Sequence, residues 1–151
     1  MVDDIDRRLV AALLADGRGS VSDVANAAGV STSTATKRLR ELEEEGVIEG
    51  YHAEVDYAAL GYEMTAVFRL DVAGDGLADV VADLREADQM VGVYEVTGSD
   101  DVVAIGKFAD SADLNAQIRE LLTREHVRSA STDVVLDTVC EHDPPPVGPD
   151  E

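Results

Sequence analysis

The chain has 151 residues, enough for one ordinary domain or two small ones, and carries a formal charge of −20. Its apolar runs fall far short of the ~20 residues that a membrane-spanning helix needs, and no basic-then-apolar leader opens it, so a cytoplasmic protein is expected. The one cysteine, Cys140, cannot close an intramolecular disulfide, and His52, His126 and His142 are too scattered for a metal site.

The acidity is uneven and its chemistry is selective. There are 19 Asp and 13 Glu against 10 Arg and only two Lys, Lys37 and Lys107. Residues 1–50 hold six bases and 10 acids, whereas residues 51–151 hold six bases and 22 acids. Such an Asp-rich, lysine-poor surface suits a cytoplasm at multimolar salt, where a Debye length below ~3 Å screens the self-repulsion. The bases that remain gather where the acids thin out.

Residues 3–15, "DDIDRRLVAALLA", read as a helix capped by Asp3 or Asp4, with Ile5, Leu9, Ala12 and Leu13 on one apolar stripe. "DGRGS" breaks it. Residues 21–28, "VSDVANAA", form a short second helix with Val21, Val24, Ala25 and Ala28 inward, ended by Gly29. Ser31 caps a third helix that runs to about Glu45 and closes at Gly46, with Ala35, Leu39 and Leu42 buried. "VIEGYHAEV" alternates and reads as a strand leading into a second unit.

From residue 62 the pattern changes. "EMTAVFRLDV" is a strand with Met64, Ala66, Phe68, Leu70 and Val72 on one face, and "GDGLADVVADLREAD" a helix with Leu77, Val80, Val81 and Leu84 inward. "MVGVYEV" and "DVVAIGKFA" are strands joined by the tight "TGSD" loop. "SADLNAQIRELLTRE" is a helix capped by Ser111 with Leu114, Ile118, Leu121 and Leu122 inward, and "ASTDVVLDTV" closes as a strand. The order β-α-β-β-α-β packs as a ferredoxin-like antiparallel sheet with two helices on one face. Val102, Ala104 and Phe108 point to one side of it and Val103 and Ile105 to the other, so a second subunit is expected to cover the bare face. The class is α+β: a helix-turn-helix unit over 1–50, a linker strand and connection over 51–61, the sheet domain over 62–139, and an acidic, Pro-rich disordered tail over 140–151.

The third helix carries the function. Ser31, Thr32, Ser33, Thr34 and Thr36, then Lys37, Arg38 and Arg40, crowd its first turns. In a helix-turn-helix these N-terminal residues enter the major groove of double-stranded DNA. Hydroxyls bond phosphates or base edges, Arg reads guanine, and threonine methyls meet the thymine methyl.

Over nearly its whole length the chain resembles the leucine-responsive/asparagine-responsive (Lrp/AsnC) regulators, the feast/famine proteins. "DDIDRRLVAALLADGRGS" is similar to their opening helix, "GVSTSTATKRLRELEEEGVIEGYHAEVD" to their recognition helix and following strand, and "VTGSDDVVAIGKFAD" to their Gly-x-x-Asp loop, with Gly98 and Asp101 in the marked places. The resemblance implies a transcriptional regulator that dimerises through its sheets and often assembles into octamers. It implies no cofactor, but a small-molecule effector, commonly an amino acid, held between subunits by Gly98, Ser99, Asp100, Asp101 and the last-strand Thr132. Ala130 stands where a second threonine is common, and Ser99-Asp100 replace the more usual acidic-aromatic pair.

Two other readings stay open at this level: a tetrapyrrole-modifying subunit resembling the sirohaem decarboxylases, and a metabolite sensor that docks on another protein. The first finds no nucleophile–base pairing in the residues, and the second predicts no salt-resistant DNA retention. For a DNA-binding protein in high salt, counterion release does little, so recognition leans on hydrogen bonds and shape, and affinity is expected to change little with salt.

Overall fold

The computed structural model describes residues 1–149, which divide into two units. The first holds α1 (Asp4–Ala15), α2 (Val21–Ala28) and α3 (Thr32–Glu44), and the described end of the chain, 140–149, lies with it and carries neither helix nor strand. Each of the three helices starts on a local signal. The Asp3 carboxylate accepts from the Asp6 N–H at 2.9 Å while the Asp6 side chain accepts from the Asp3 N–H at 3.0 Å. Ser20 and Asp23 make the same reciprocal box at 3.1 Å, and Ser31 caps α3. Gly29 ends α2 at φ 73°, a left-handed turn that only glycine adopts at no steric cost. The core is small-residue rich: Leu9, Val24, Ala25, Ala28, Ala35 and Leu39, with Ile5, Ala12, Leu13, Val30 and Ile48 against it. Val21, expected inward, is 40% exposed: it is the first residue of α2, whose buried side is carried by Val24, Ala25 and Ala28.

The expected strand over 47–55 does not form. The Val47 and Ile48 N–H groups turn back to the Leu42 carbonyl, and residues 49–56 carry no helix or strand. Alternation alone is insufficient where no neighbouring strand offers a ladder.

The second unit, 55–139, contains β1 (Met64–Val72), α4 (Leu77–Glu86), β2 (Met90–Glu95), β3 (Val102–Phe108), α5 (Ser111–Thr123) and β4 (Val127–Val134). The strands form one antiparallel sheet ordered β2-β3-β1-β4, the ferredoxin-like arrangement. Ala66, Phe68, Leu70 and Val72 of β1 and Val102, Ala104 and Phe108 of β3 face Val80 and Leu84 of α4 and Leu114 and Leu121 of α5. Phe68 and Phe108 meet edge to face, centroids 5.8 Å apart.

Three local expectations are corrected. Asp110, not Ser111, caps α5, since its carboxylate accepts from the Asp113 N–H at 2.9 Å. Gln117 is buried in α5 while Leu122 is 57% exposed, because the helix packs on its 114–117–121 line. β4 begins at Val127, three residues before the run "ASTDVVLDTV", and ends at Val134, five residues before that run does, because its register is set by Val72 and Ala66 of β1.

The other face of the sheet is only half-covered. Val67, Val103 and Ile105 lie there half-buried, the Arg69–Asp133 ion pair crosses it, and Tyr94 lies 55% exposed. At one end Lys107 donates to Thr65 Oγ1 at 3.1 Å and lies 5.9 Å from the centre of the Tyr57 ring.

Candidate DNA-binding helix and effector loop

On α3 the buried residues Ala35, Leu39 and Leu42 fix the inward side, so Ser33, Lys37 and Arg40 point away from it. Thr32, Ser33 and Thr36 are exposed and Thr34 is half-buried. The hydroxyls divide by role. Ser31 Oγ accepts from the Thr34 N–H at 3.2 Å and donates to Thr34 Oγ1 at 2.9 Å, so it is occupied in starting the helix. Thr36 Oγ1 donates to the Thr32 carbonyl at 2.9 Å, which leaves its lone pairs outward as acceptors.

The bases divide as well. Lys37 and Arg40 keep 77% and 79% of their side chains exposed, paired with Glu41 at 3.8 Å and Glu44 at 2.9 Å. Arg38 does not stand with them. Its guanidinium turns to α1, 2.8 Å from Asp3 and 3.3 Å from Asp6, whose side chain is buried. Arg38, expected among the DNA-binding residues, is held here by α1 and its N-cap. It ties the start of α1 to the middle of α3 and so fixes how α3 is presented. Asp3 and Asp6, 35 and 32 residues away in sequence, carry no local signal of that partnership. Tyr51 is a second unforeseen anchor: its hydroxyl donates to Glu43 at 2.7 Å, and burial first, then Glu43, raises its pKa.

The Asp6 N–H bond and then the Arg38 guanidinium hold the Asp3 carboxyl below its ordinary value of 3.8. A depressed carboxylate contributes stability that is full above the unfolded value and lost as pH falls through the folded one. Asn caps a helix as well as Asp does, so Asp3→Asn isolates the charge. Wild type is expected to melt higher than Asp3→Asn above about pH 5, with the gap closing below about pH 3. Thermal melts of the two proteins across that range check it.

The loop between β2 and β3 is built around Asp101. Its N–H donates to the Leu70 carbonyl at 2.8 Å, its carbonyl accepts from Val96 at 3.0 Å, and its Oδ2 accepts from the Val72 N–H at 2.7 Å. One carboxylate oxygen therefore latches the loop to the end of β1, and Oδ1 takes no hydrogen bond among the described residues. Gly98 has φ 112° with open space around it, so conformation rather than crowding requires glycine. Gly98 and Ser99 are exposed; Asp100 and Asp101 are half-buried.

Thr132 is not beside this loop. It pairs with Phe68 and so shares the helix-covered face of β4, with β1 lying between β4 and β3. Two inter-strand steps of ~4.8 Å set it about 10 Å off. A single chain brings Gly98, Ser99, Asp100 and Asp101 together but leaves Thr132 apart. Among the described residues no group of three or more His, Cys, Asp or Glu is placed to hold a metal, and no helix is long and apolar enough to cross a membrane.

A three-helix unit with an outward, base- and hydroxyl-bearing third helix, followed by a ferredoxin-like domain with a latched glycine loop, defines a two-domain DNA-binding regulator. Residues 65–145 match the Lrp/AsnC ligand binding domain and residues 2–49 a winged helix-turn-helix DNA-binding domain. The chain is 33% identical over 138 residues, 91% of each protein, to the HTH-type transcriptional regulator LrpA of Mycobacterium tuberculosis. It is 32% identical over 137 residues, again 91% of each, to the HTH-type transcriptional regulator FL11 of Pyrococcus abyssi. The structure of the feast or famine regulatory protein of M. tuberculosis complexed with L-methionine is similar at a TM-score of 0.86 and 31% identity, over 94% of this chain and 97% of that one. The chain belongs to the Lrp/AsnC family of transcriptional regulators. It is a DNA-binding regulator, and the reading as an enzyme subunit is set aside.

Proposed function

We propose that this regulator controls amino-acid or nitrogen metabolism genes from the cytoplasm of a salt-rich cell, in response to an amino acid. The observation that carries the reading is the outward face of α3. Thr32, Ser33, Thr34 and Thr36 supply hydroxyls and methyls to the major groove, Lys37 and Arg40 supply charge, Ser31 starts the helix and Arg38 aims it. We take 1–50 as the DNA-binding unit, 51–61 as the connection, 62–139 as the sensing and assembly domain and 140–151 as an acidic, Pro-rich tail.

The effector belongs at the Gly98–Asp101 loop. Glycine lets backbone N–H groups approach a carboxylate, and with Oδ2 of Asp101 taken by the Val72 N–H, Oδ1 is the oxygen that would accept from an ammonium. Since Thr132 lies apart from the loop of its own chain, the site is completed between subunits. The half-buried Val67, Val103 and Ile105 support a homodimer, with an octamer as its further assembly. Two α3 helices then read half-sites one or two DNA turns apart.

The test is retention of the upstream DNA of its own gene in about 2 M KCl, with and without a pool of amino acids. Retention that shifts with one amino acid supports regulator and sensor together; retention without a shift reduces the loop to a turn. Lys37→Ala and Arg40→Ala are each expected to weaken retention by about 1 kcal/mol or more, with melting unchanged. Retention equal to wild type in both variants removes α3 from the interface.

A further inference from the structure

Every base on α3 already has a carboxylate partner inside the chain. Arg38 takes its partners from another helix, whereas Lys37 and Arg40 take theirs, Glu41 and Glu44, one turn further along α3 itself. At about 100° per residue, Ser33, Lys37, Arg40 and Glu44 fall on the line opposite Ala35, Leu39 and Leu42, and Glu41 flanks it. The two glutamates thus stand on the DNA-facing side. They do not serve the helix, because they crowd the negative end of its macrodipole and no base occupies its last turn. Ion pairs this exposed add little stability.

We infer that Glu41 and Glu44 set the salt dependence of DNA binding: they compete with DNA phosphates for Lys37 and Arg40. The inference rests on α3 being the DNA-contacting helix. When a base leaves its glutamate for a phosphate, the DNA sheds a condensed cation and the vacated carboxylate takes one up. Net release per exchanged base falls from about 0.9 ion toward zero. That release drives sequence-independent binding, so the exchange cancels it. Contacts from Thr32, Ser33 and Thr36 to base edges carry no such ion exchange and are spared. Any DNA offers phosphates, but only the right site offers the base edges. The ratio of specific to non-specific affinity is unchanged, since both complexes lose the same phosphate contribution, while the salt dependence of both flattens without any appeal to the composition of the rest of the chain.

The experiment compares the full chain, Glu41→Gln/Glu44→Gln, and a charge-matched control, Glu45→Gln/Glu49→Gln. The control removes two exposed glutamates that make no ion pair among the described residues. Fluorescence anisotropy reads affinity for the upstream duplex and for an unrelated duplex of equal length over a fourfold rise in KCl, with circular dichroism confirming the helices. Wild type is expected to change little on the unrelated duplex. Glu41→Gln/Glu44→Gln is expected to have a log–log slope steeper by about 1.8, a loss about 12-fold greater than wild type's over that range. At the low-salt end it binds both duplexes about 10-fold more tightly. The control keeps the wild-type slope. If the double variant tracks wild type, or the control steepens equally, the inference is overturned. If no protein binds either duplex at any salt, the DNA-binding assignment of α3 has failed and the inference goes with it.

Discussion

Phe68→Ala is expected to destabilise the sheet domain by about 3–5 kcal/mol, toward the upper end of that range. Phe68 is fully buried on β1, a central strand flanked by β3 and β4, and its ring meets Phe108 edge to face. Its cross-strand partners are Ala104 on β3 and Thr132 on β4, and Ala66 lies two residues before it on the same face. Truncation removes the ring contact with Phe108 and leaves a cavity that Ala66 and Ala104 are too small to fill, so the lost contacts are not recovered. Phe68→Leu, which keeps most of the volume, should cost less than half as much. Hydrogen exchange checks this: amides of β1 and β3 should lose about 10²- to 10³-fold of their protection in Phe68→Ala. Protection within a few-fold of wild type would mean that this core does not hold the sheet together.

What could be read from the sequence follows the range over which each feature is determined. The caps of α1 and α3 and the turn at Gly29 are settled by residues three or four apart, and they were legible; the Ser20 cap of α2 is as local but was not read. The face of β1 was equally legible, because period-two alternation over nine residues admits one burial pattern. The α5 face was less so, since Leu114, Ile118, Leu121 and Leu122 and the observed 114–117–121 line both fit a helix. Only the sheet beneath it decides. The segment after α3 alternates like a strand, yet a strand needs a neighbour, and sequence cannot tell whether the same chain provides one.

At the candidate sites the same division holds. That α3 points hydroxyls and bases outward follows from Ala35, Leu39 and Leu42 alone. That Arg38 is withdrawn toward Asp3 and Asp6 depends on how α1 crosses α3, a contact spanning more than 30 residues. Asp101 was legible as a marked position but not as a latch, because the Val72 N–H it accepts from lies 29 residues away. The separation of Thr132 from the loop is a consequence of strand order. It sets Thr132 two strands away from the four loop residues within one chain.

Leu39→Ala is expected to cost the helical unit about 2–4 kcal/mol. Leu39 and Leu9 are the two large side chains among the six buried residues of that core, the others being Val24 and three alanines. A small domain with so few large apolar groups has little stability in reserve. Leu39 retains slight exposure, 8%, which keeps the expected cost below that of a fully enclosed leucine. The consequence for DNA differs in kind from that of Arg40→Ala. Arg40 contributes to the outer face and its removal leaves α3 in place, whereas Leu39 is the peg by which α3 is seated, one residue from the Arg38 tie to α1. Leu39→Ala should therefore lower the melting temperature and weaken DNA retention together, and retention should recover on cooling toward the temperature of maximum stability. Arg40→Ala should weaken retention at every temperature with melting unmoved. A Leu39→Ala protein that melts with wild type would mean that the inward and outward faces of α3 have been assigned the wrong way round, and the roles given to Thr36, Lys37 and Arg40 would have to be withdrawn with it.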